Sequence, residues 1–274
     1  MIKNKKLKLI VGGCSYTYGG NDKDTIPWPN QLAELLDMEL VNTSRNGAGN
    51  EYILGEISKA ICSYNNIGLV VAMWSEFERI DFPQSLKTKR WQHPDCSYVE
   101  TDKQFLTTVN ANVIYDPKKD IQFAKSFRRY VNLHNEIVLF FNENGMYTKL
   151  KCLEKSLLQM MLFKQLVKSK GLDYIHCVGT NPYIRGEETA EDIKTKIQQY
   201  SNAIIDSIFF DELDETNFIG FPIIKNIGGF FFDDLLPEPN LLYRVSESDS
   251  HPNTKGHKIF ADHIYEKYKE IYHD

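Results

Sequence analysis

Short apolar runs alternate with segments of helical spacing over the first third of the chain. The apolar runs, which predict strands, read LKLIVGG, ELVN and IGLVVAMW. Two further segments, WPNQLAELLDM and NEYILGEISKAI, have the spacing of amphipathic helices. Strands that alternate with helices in this way predict a parallel sheet covered by helical layers.

The alternation stops in the middle of the chain and then returns. Residues 78–130 are rich in polar, aromatic and turn-forming residues, and we interpret them as an insertion or an arm without sheet strands. Helical spacing resumes over residues 131–170, LDYIHCVG predicts another buried strand, and two amphipathic helices follow. The segments NFIGFPII and GGFFFDDLL are apolar but match neither the helical period nor the strand period. Residues 1–274 therefore predict one domain, a three-layer α/β/α sandwich with a central parallel sheet and an aromatic-rich insertion at about 78–130.

Composition narrows the possible functions. The net charge of −5 argues against a general nucleic-acid binder, and no run of eighteen apolar residues could span a membrane. Five scattered cysteines without a CxxC pair predict reduced thiols and no structural metal. The basic start MIKNKK before an apolar run imitates a lipoprotein signal ending at Cys14, but the run is short and Lys8 interrupts it. We expect a cytoplasmic protein.

The stretch VGGCSYTYGG follows the first predicted strand and is the first candidate for chemistry. A phosphate-binding loop needs a lysine after its glycines, and the dinucleotide fingerprint GxGxxG does not fit either. Two interpretations remain, a simple turn and a turn that carries the nucleophile Ser15. Ligand sites of α/β proteins form at the carboxyl ends of parallel strands, where Ser15 falls. We expect Cys14 to point away from Ser15 as a small buried residue.

The stretch ESDSHPNTKGH, before the last predicted helix, is the second candidate. Asp249 and His251 are two residues apart, so both side chains lie on the same side of an extended segment. Asp249 could then orient the His251 ring, and His251 could take a proton from a serine. The alternative is a polar loop without chemistry.

Together these stretches resemble the SGNH hydrolases, the GDSL esterase/lipase superfamily. The matching segments, in order, are Gly13-Cys14-Ser15-Tyr16-Thr17-Tyr18-Gly19, WPNQLAELL, VNTSRNGAGN and Asp249-Ser250-His251-Pro252-Asn253. The resemblance covers nearly the whole chain and implies a flavodoxin-like sandwich. It also implies a Ser15-His251-Asp249 triad, an oxyanion hole formed by the backbone N–H groups of Ser15 and Gly47, and no cofactor.

Two departures from the family pattern concern the site. The family's third block supplies an asparagine, whereas this chain reads AMWSEFER, with Ser75 or Glu76 in that place. We take Ser75 and Asn50 as secondary candidates for the oxyanion hole. The family also has aspartate three residues before histidine, where Ser248 lies here. We prefer Asp249 because a carboxylate stabilises the imidazolium, and Glu247 is the alternative acid.

The resemblance implies an esterase that acts on a small acyl ester, such as an O-acetyl group on a carbohydrate. An O-acyltransferase with the same site and a binding module without turnover are the alternatives. Both agree with the sequence, which does not indicate the oligomeric state.

For several other side chains, the sequence allows more than one role. We expect His176 in the core, while His257 is either a residue behind the site or a surface or half-buried residue of the helix. Arg79 either binds an acidic group of the substrate or forms a surface ion pair. The aromatic residues of the insertion either stack on sugars or form a small core; they include Trp91, Tyr98, Phe105 and Tyr115.

Overall fold

The structure is a computed structural model that describes residues 6–19, 24–84, 105–110, 139, 143, 148–180, 189–237, 240–247 and 249–273. Its strands are β1 (Lys8–Gly12), β2 (Glu39–Asn42), β3 (Ile67–Trp74), β4 (Arg79–Gln84), β5 (Phe105–Asn110), β6 (Tyr174–Val178) and β7 (Phe218–Ile219). Its helices are α1 (Ser15–Tyr18), α2 (Trp28–Leu35), α3 (Asn50–Ser63), α4 (Lys149–Ser169), α5 (Ala190–Ile205), α6 (Phe210–Leu213) and α7 (Thr254–Tyr272).

Five parallel strands form the central sheet in the order β2-β1-β3-β6-β7. Strands β1 and β6 are buried along their whole length, as are the last six residues of β3, because helices cover both faces. The chain moves from β1 outward to β2 and then back across β1 to β3. Right-handed crossovers therefore place α2 and α3 on opposite faces of the sheet. Helix α7 packs beside α2, and α4 packs beside α3. These layers confirm the predicted α/β/α sandwich.

This strand order creates a crevice at the carboxyl edge of the sheet. The connections that leave β1 and β3 run to opposite faces, so the two strand ends form the topological switch point of a doubly wound sheet. Ser15 follows β1 and Ser75 follows β3. The fold therefore places the first candidate segment beside the crevice.

The prediction that residues 78–130 hold no strand is wrong. Strands β4 and β5 pair antiparallel as a separate two-stranded ribbon, with Pro83 opposite Leu106. Proline weakens a strand signal, and the partner strand lies more than twenty residues away, so no local period marks the pair. Phe105 begins β5, whereas Trp91, Tyr98 and Tyr115 fall outside the described residues.

The apolar segments without a period also have regular structure. NFIGFPII contains β7, which is only two residues long and completes one edge of the sheet. GGFFFDDLL contains a short 3₁₀ helix, Phe232–Leu235. Elements of two to four residues are too short for either period to show. Among the described helices, none is long and apolar enough to cross a membrane.

Candidate active site

The turn after β1 presents Ser15 at the first residue of α1. The Cys14 carbonyl accepts the Thr17 N–H at 3.0 Å, and the Cys14 side chain is buried, as expected. A Cβ on Gly13 would lie 2.0 Å from Thr17 Oγ1, so only glycine fits there. Gly19 ends α1 with a φ of 103°, in the left-handed region. These contacts form a tight turn that carries the Ser15 side chain.

The loop before α7 presents His251. The Asn253 side chain accepts hydrogen bonds from two N–H groups in the first turn of α7 and donates to the Arg244 carbonyl at 2.8 Å. The Val245 N–H donates to the His251 carbonyl at 2.9 Å. The helix cap and the neighbouring segment therefore fix the backbone that carries the histidine.

The structure brings Ser15, His251 and Asp249 together although 236 positions separate the serine from the histidine. His251 Nε2 lies 2.8 Å from Ser15 Oγ, and His251 Nδ1 lies 2.6 Å from Asp249 Oδ1. The His251 backbone N–H also donates to Asp249 Oδ1 at 3.0 Å. Burial raises the pKa of Asp249, but these hydrogen bonds outweigh burial and hold it below its ordinary value. Glu247, the alternative acid, is exposed.

The turn that holds Gly47 lies beside the Ser15 turn. The Arg45 N–H donates to the Gly13 carbonyl at 3.1 Å, which joins the loops that follow β2 and β1. Gly47 has a φ of 73°, while a Cβ there would meet nothing within 4 Å. Backbone conformation, not space, therefore explains the glycine.

The two secondary candidates differ in their hydrogen bonding. Asn50 Oδ1 accepts the Ser75 N–H at 2.8 Å, and Asn50 Nδ2 donates to Ser156 Oγ at 3.1 Å. The Asn50 amide therefore bonds within the protein. The Ser75 hydroxyl is buried and has no hydrogen-bond partner among the residues that the structure describes. The Ser75 hydroxyl is therefore available to donate a hydrogen bond, whereas the Asn50 amide already bonds to Ser75 and Ser156.

Three side chains that the sequence analysis missed lie against the His251 loop. The Tyr16 ring centroid is 5.4 Å from that of His251. Arg244 pairs with both carboxylate oxygens of Asp233, at 2.9 Å for one of them, and donates to the Ser250 carbonyl at 2.7 Å. Burial, and after it the Asp233 charge, raises the pKa of Tyr16 to about 12, so its phenol is neutral at pH 7. No short motif indicates that these three residues meet, because they come from three separate segments.

The structure also shows where two histidines lie that the sequence analysis discussed, His257 and His176. His257 is fully buried, so the interpretation as a surface or half-buried residue of the helix is wrong. Burial, and after it the nearby His251, lowers the pKa of His257 to about 3, which leaves it neutral. His176 lies in the core as predicted, where its Nδ1 accepts the Trp74 indole N–H at 3.4 Å and its Nε2 lies 3.5 Å from Glu215 Oε1.

Arg79 forms the ion pair that the sequence left open, with Glu76, but this pair is largely buried and not on the surface. Its Nε and Nη2 donate to the two carboxylate oxygens, each at 3.0 Å. Within the described part of the chain, no group of three His, Cys, Asp or Glu side chains is placed to hold a metal ion.

The fold and these distances define a class: a doubly wound α/β protein with a hydrogen-bonded Ser-His-Asp chain at its switch point. No family model and no curated protein matches the chain. Similar solved structures include a proposed SGNH hydrolase from Slackia heliotrinireducens, with 14% identity, a TM-score of 0.42 and coverage of 96% of this chain and 99% of that one. An acetyl xylan esterase, AlAXEase, has 14% identity, a TM-score of 0.45 and coverage of 95% and 98%.

A third similar structure is a proposed lipolytic protein of the G-D-S-L family from Desulfitobacterium hafniense DCB-2. It has 13% identity, a TM-score of 0.38 and coverage of 95% of this chain and 98% of that one.

Proposed function

We propose that this chain is a serine ester hydrolase of the SGNH type that acts on a small acyl ester. The observation that carries the proposal is the continuous hydrogen-bonded chain from Ser15 Oγ through His251 to Asp249, with distances of 2.8 and 2.6 Å. A serine hydroxyl is a poor nucleophile until a neighbouring base takes its proton. His251 is within reach of that proton, and Asp249 is within reach of the other ring nitrogen.

The reaction proceeds in two steps. Ser15 Oγ attacks the acyl carbonyl while His251 Nε2 takes the hydroxyl proton, and collapse of the tetrahedral intermediate returns this proton to the leaving alcohol. An acyl ester on Ser15 remains. Water then attacks this ester, with His251 again taking and returning the proton, and the carboxylic acid leaves. These steps need no metal or organic cofactor.

Asp249 and the backbone stabilise the charges that develop. The Asp249 carboxylate accepts a hydrogen bond from the Nδ1–H group of His251, which fixes the ring tautomer and favours the imidazolium. We assign the oxyanion to the N–H groups of Ser15 and Gly47. The Ser75 hydroxyl, which bonds to none of the described residues, is the candidate for a third donor. Asn50 is the less favoured alternative, because its amide already bonds to Ser156 and Ser75.

The substrate proposal rests on the family resemblance. It implies a small acyl ester, and we propose an O-acetyl group on a carbohydrate as the substrate class. Comparing acetyl with butyryl p-nitrophenyl esters tests the acyl group. Release of acetate from an acetylated xylo-oligosaccharide tests the carbohydrate.

The decisive experiment combines covalent labelling with turnover. We expect a fluorophosphonate probe to modify Ser15, and Ser15→Ala to lose the label and about 10³-fold or more of the turnover of p-nitrophenyl acetate. Ser169→Ala removes a hydroxyl at the end of α4 that donates to the Leu166 carbonyl at 2.7 Å, and it serves as the matched control. We expect this control to label and turn over like the wild type.

Other outcomes identify the alternatives. Labelling of Ser15 with slow hydrolysis that a sugar acceptor accelerates would indicate an O-acyltransferase. A folded wild-type protein with neither labelling nor turnover would overturn the proposal and favour a binding module.

A further inference from the structure

A buried carboxylate from the segment after β3 holds the start of α3. The Asp81 side chain is 1% exposed, and it accepts the Gly49 N–H at 3.1 Å and the Tyr52 N–H at 2.9 Å. These N–H groups belong to the first turn of α3, where no carbonyl of the helix can pair with them. A negative charge at this end of a helix is favourable. Asp81 therefore acts as an N-cap supplied by another segment of the chain.

The backbone around Asp81 is fitted to this contact. A Cβ on Gly49 would lie 2.5 Å from Asp81 Oδ2, closer than real Cβ contacts. The φ of Gly49 is −91°, which any residue adopts, so close approach of the carboxylate explains this glycine. The contact therefore restricts which residue types fit at positions 49 and 81.

Further contacts join the same segments. Arg79 Nη1 donates to the Ala48 carbonyl at 3.2 Å, while Glu76 holds the guanidinium by two hydrogen bonds. The Ser75 N–H donates to Asn50 Oδ1 at 2.8 Å. Side chains and backbone of residues 75–81 therefore hold three consecutive residues, 48–50, that directly follow Gly47.

We propose that residues 75–81 are a positioning segment that fixes the Gly47 N–H for the oxyanion, with Asp81 and Arg79 as its positioning residues. This inference rests on the proposed function, because it assigns a task to the Gly47 turn. Oxyanion donors must be in place before charge develops, and a displacement of about 1 Å can cost up to about 10²-fold in rate. The segment that lacks the family's asparagine thus contributes to the oxyanion site through the backbone it holds.

The test is Asp81→Asn, which keeps the shape of the side chain but removes its charge and places an N–H₂ group beside one of the two N–H donors. We expect kcat for p-nitrophenyl acetate to fall about 10- to 100-fold, with KM within about twofold of the wild type. Amide hydrogen exchange of a peptide covering residues 47–52 should accelerate. Asp192→Asn makes the same change in the capping box of α5 and is the matched control, with kcat and this exchange unchanged.

Arg79→Gln is the second variant, so that a folding defect in Asp81→Asn leaves the proposal testable. It removes the contact with the Ala48 carbonyl and should lower kcat about 10-fold at constant KM. Wild-type kcat and unchanged exchange in both variants would overturn the inference. If the wild-type protein shows no turnover that depends on Ser15, the proposed function fails, and faster exchange in Asp81→Asn would still show that residues 75–81 hold the turn.

Discussion

Asp249 remains ionised although its position is partly screened from water. His251 donates to it from both the backbone and the ring, and these two hydrogen bonds outweigh the opposing effect of burial on the pKa of Asp249. The lowered pKa means that folding favours the carboxylate. Its contribution to stability is therefore present above the ordinary aspartate pKa and is lost as the pH falls through the lower folded value.

At the residue scale, Asp249→Asn tests which acid orients His251. We expect kcat to fall by about 10³-fold or more, because an amide neither fixes the required tautomer nor stabilises the imidazolium. Glu247→Gln is the matched control and should keep wild-type kcat, since Glu247 is exposed. Steady-state kinetics with p-nitrophenyl acetate measures both. A larger loss in Glu247→Gln than in Asp249→Asn would reverse the assignment.

At the element scale, Arg244 joins the 3₁₀ helix Phe232–Leu235 to the loop that carries His251. Its guanidinium pairs with Asp233 and donates to the Ser250 carbonyl, and its own carbonyl accepts from Asn253, the N-cap of α7. The Arg244 side chain is buried, so removing it leaves an uncompensated carboxylate on Asp233. The position of α7 thus depends partly on one ion pair.

Arg244→Met should lower the free energy of unfolding by about 3 kcal/mol, because breaking a buried ion pair costs far more than breaking an exposed one. Lys258→Met breaks the exposed pair with Asp262 on α7 and should cost less than about 0.5 kcal/mol. Urea unfolding of both variants and the wild type measures the two differences. Equal losses in the two variants would contradict a bracing role for Arg244.

At the scale of the whole molecule, a polar cluster around Glu215 joins α4, β6 and the segment before β7. Glu215 accepts from the Tyr174 hydroxyl at 2.9 Å, pairs with Lys164 at 3.1 Å, and lies 3.5 Å from His176 Nε2. Burial raises the pKa of Glu215, but the contacts with His176, Lys164 and Tyr174 outweigh burial and lower it to about 2. The charged carboxylate therefore stabilises the folded state.

Glu215→Gln should destabilise the protein in a pH-dependent way. The ordinary pKa is 4.5 and the folded pKa is about 2, so the carboxylate contributes fully above about pH 4.5, and this contribution is lost as the pH falls towards 2. The difference in unfolding free energy from the wild type should shrink from pH 7 through pH 5 to pH 3. Urea unfolding at each pH measures this difference, with Glu266→Gln on the surface of α7 as the control. A constant difference across this range would contradict the role of the charge.

The elements that the sequence predicted well are those with a complete local period. Strands β1, β3 and β6 are continuous apolar runs because helices cover both faces of the sheet, and α2, α3 and α7 each bury one face. The ribbon of β4 and β5 and the two-residue β7 escaped prediction. Their pairing depends on distant partners, which no window of local sequence contains.

The sequence alone determined the parallel α/β layers, through its alternation of strand and helix patterns. It also singled out Ser15, Asp249 and His251 as candidates, because small residues after a strand and an Asp-x-His spacing are local features. Tertiary structure alone decided that His257 is buried, that Arg244 and Asp233 hold the His251 loop, and that Asp81 caps α3. These contacts depend on distances between segments far apart in sequence. Periodicity shows which face of an element is buried, whereas folding determines which side chains meet there.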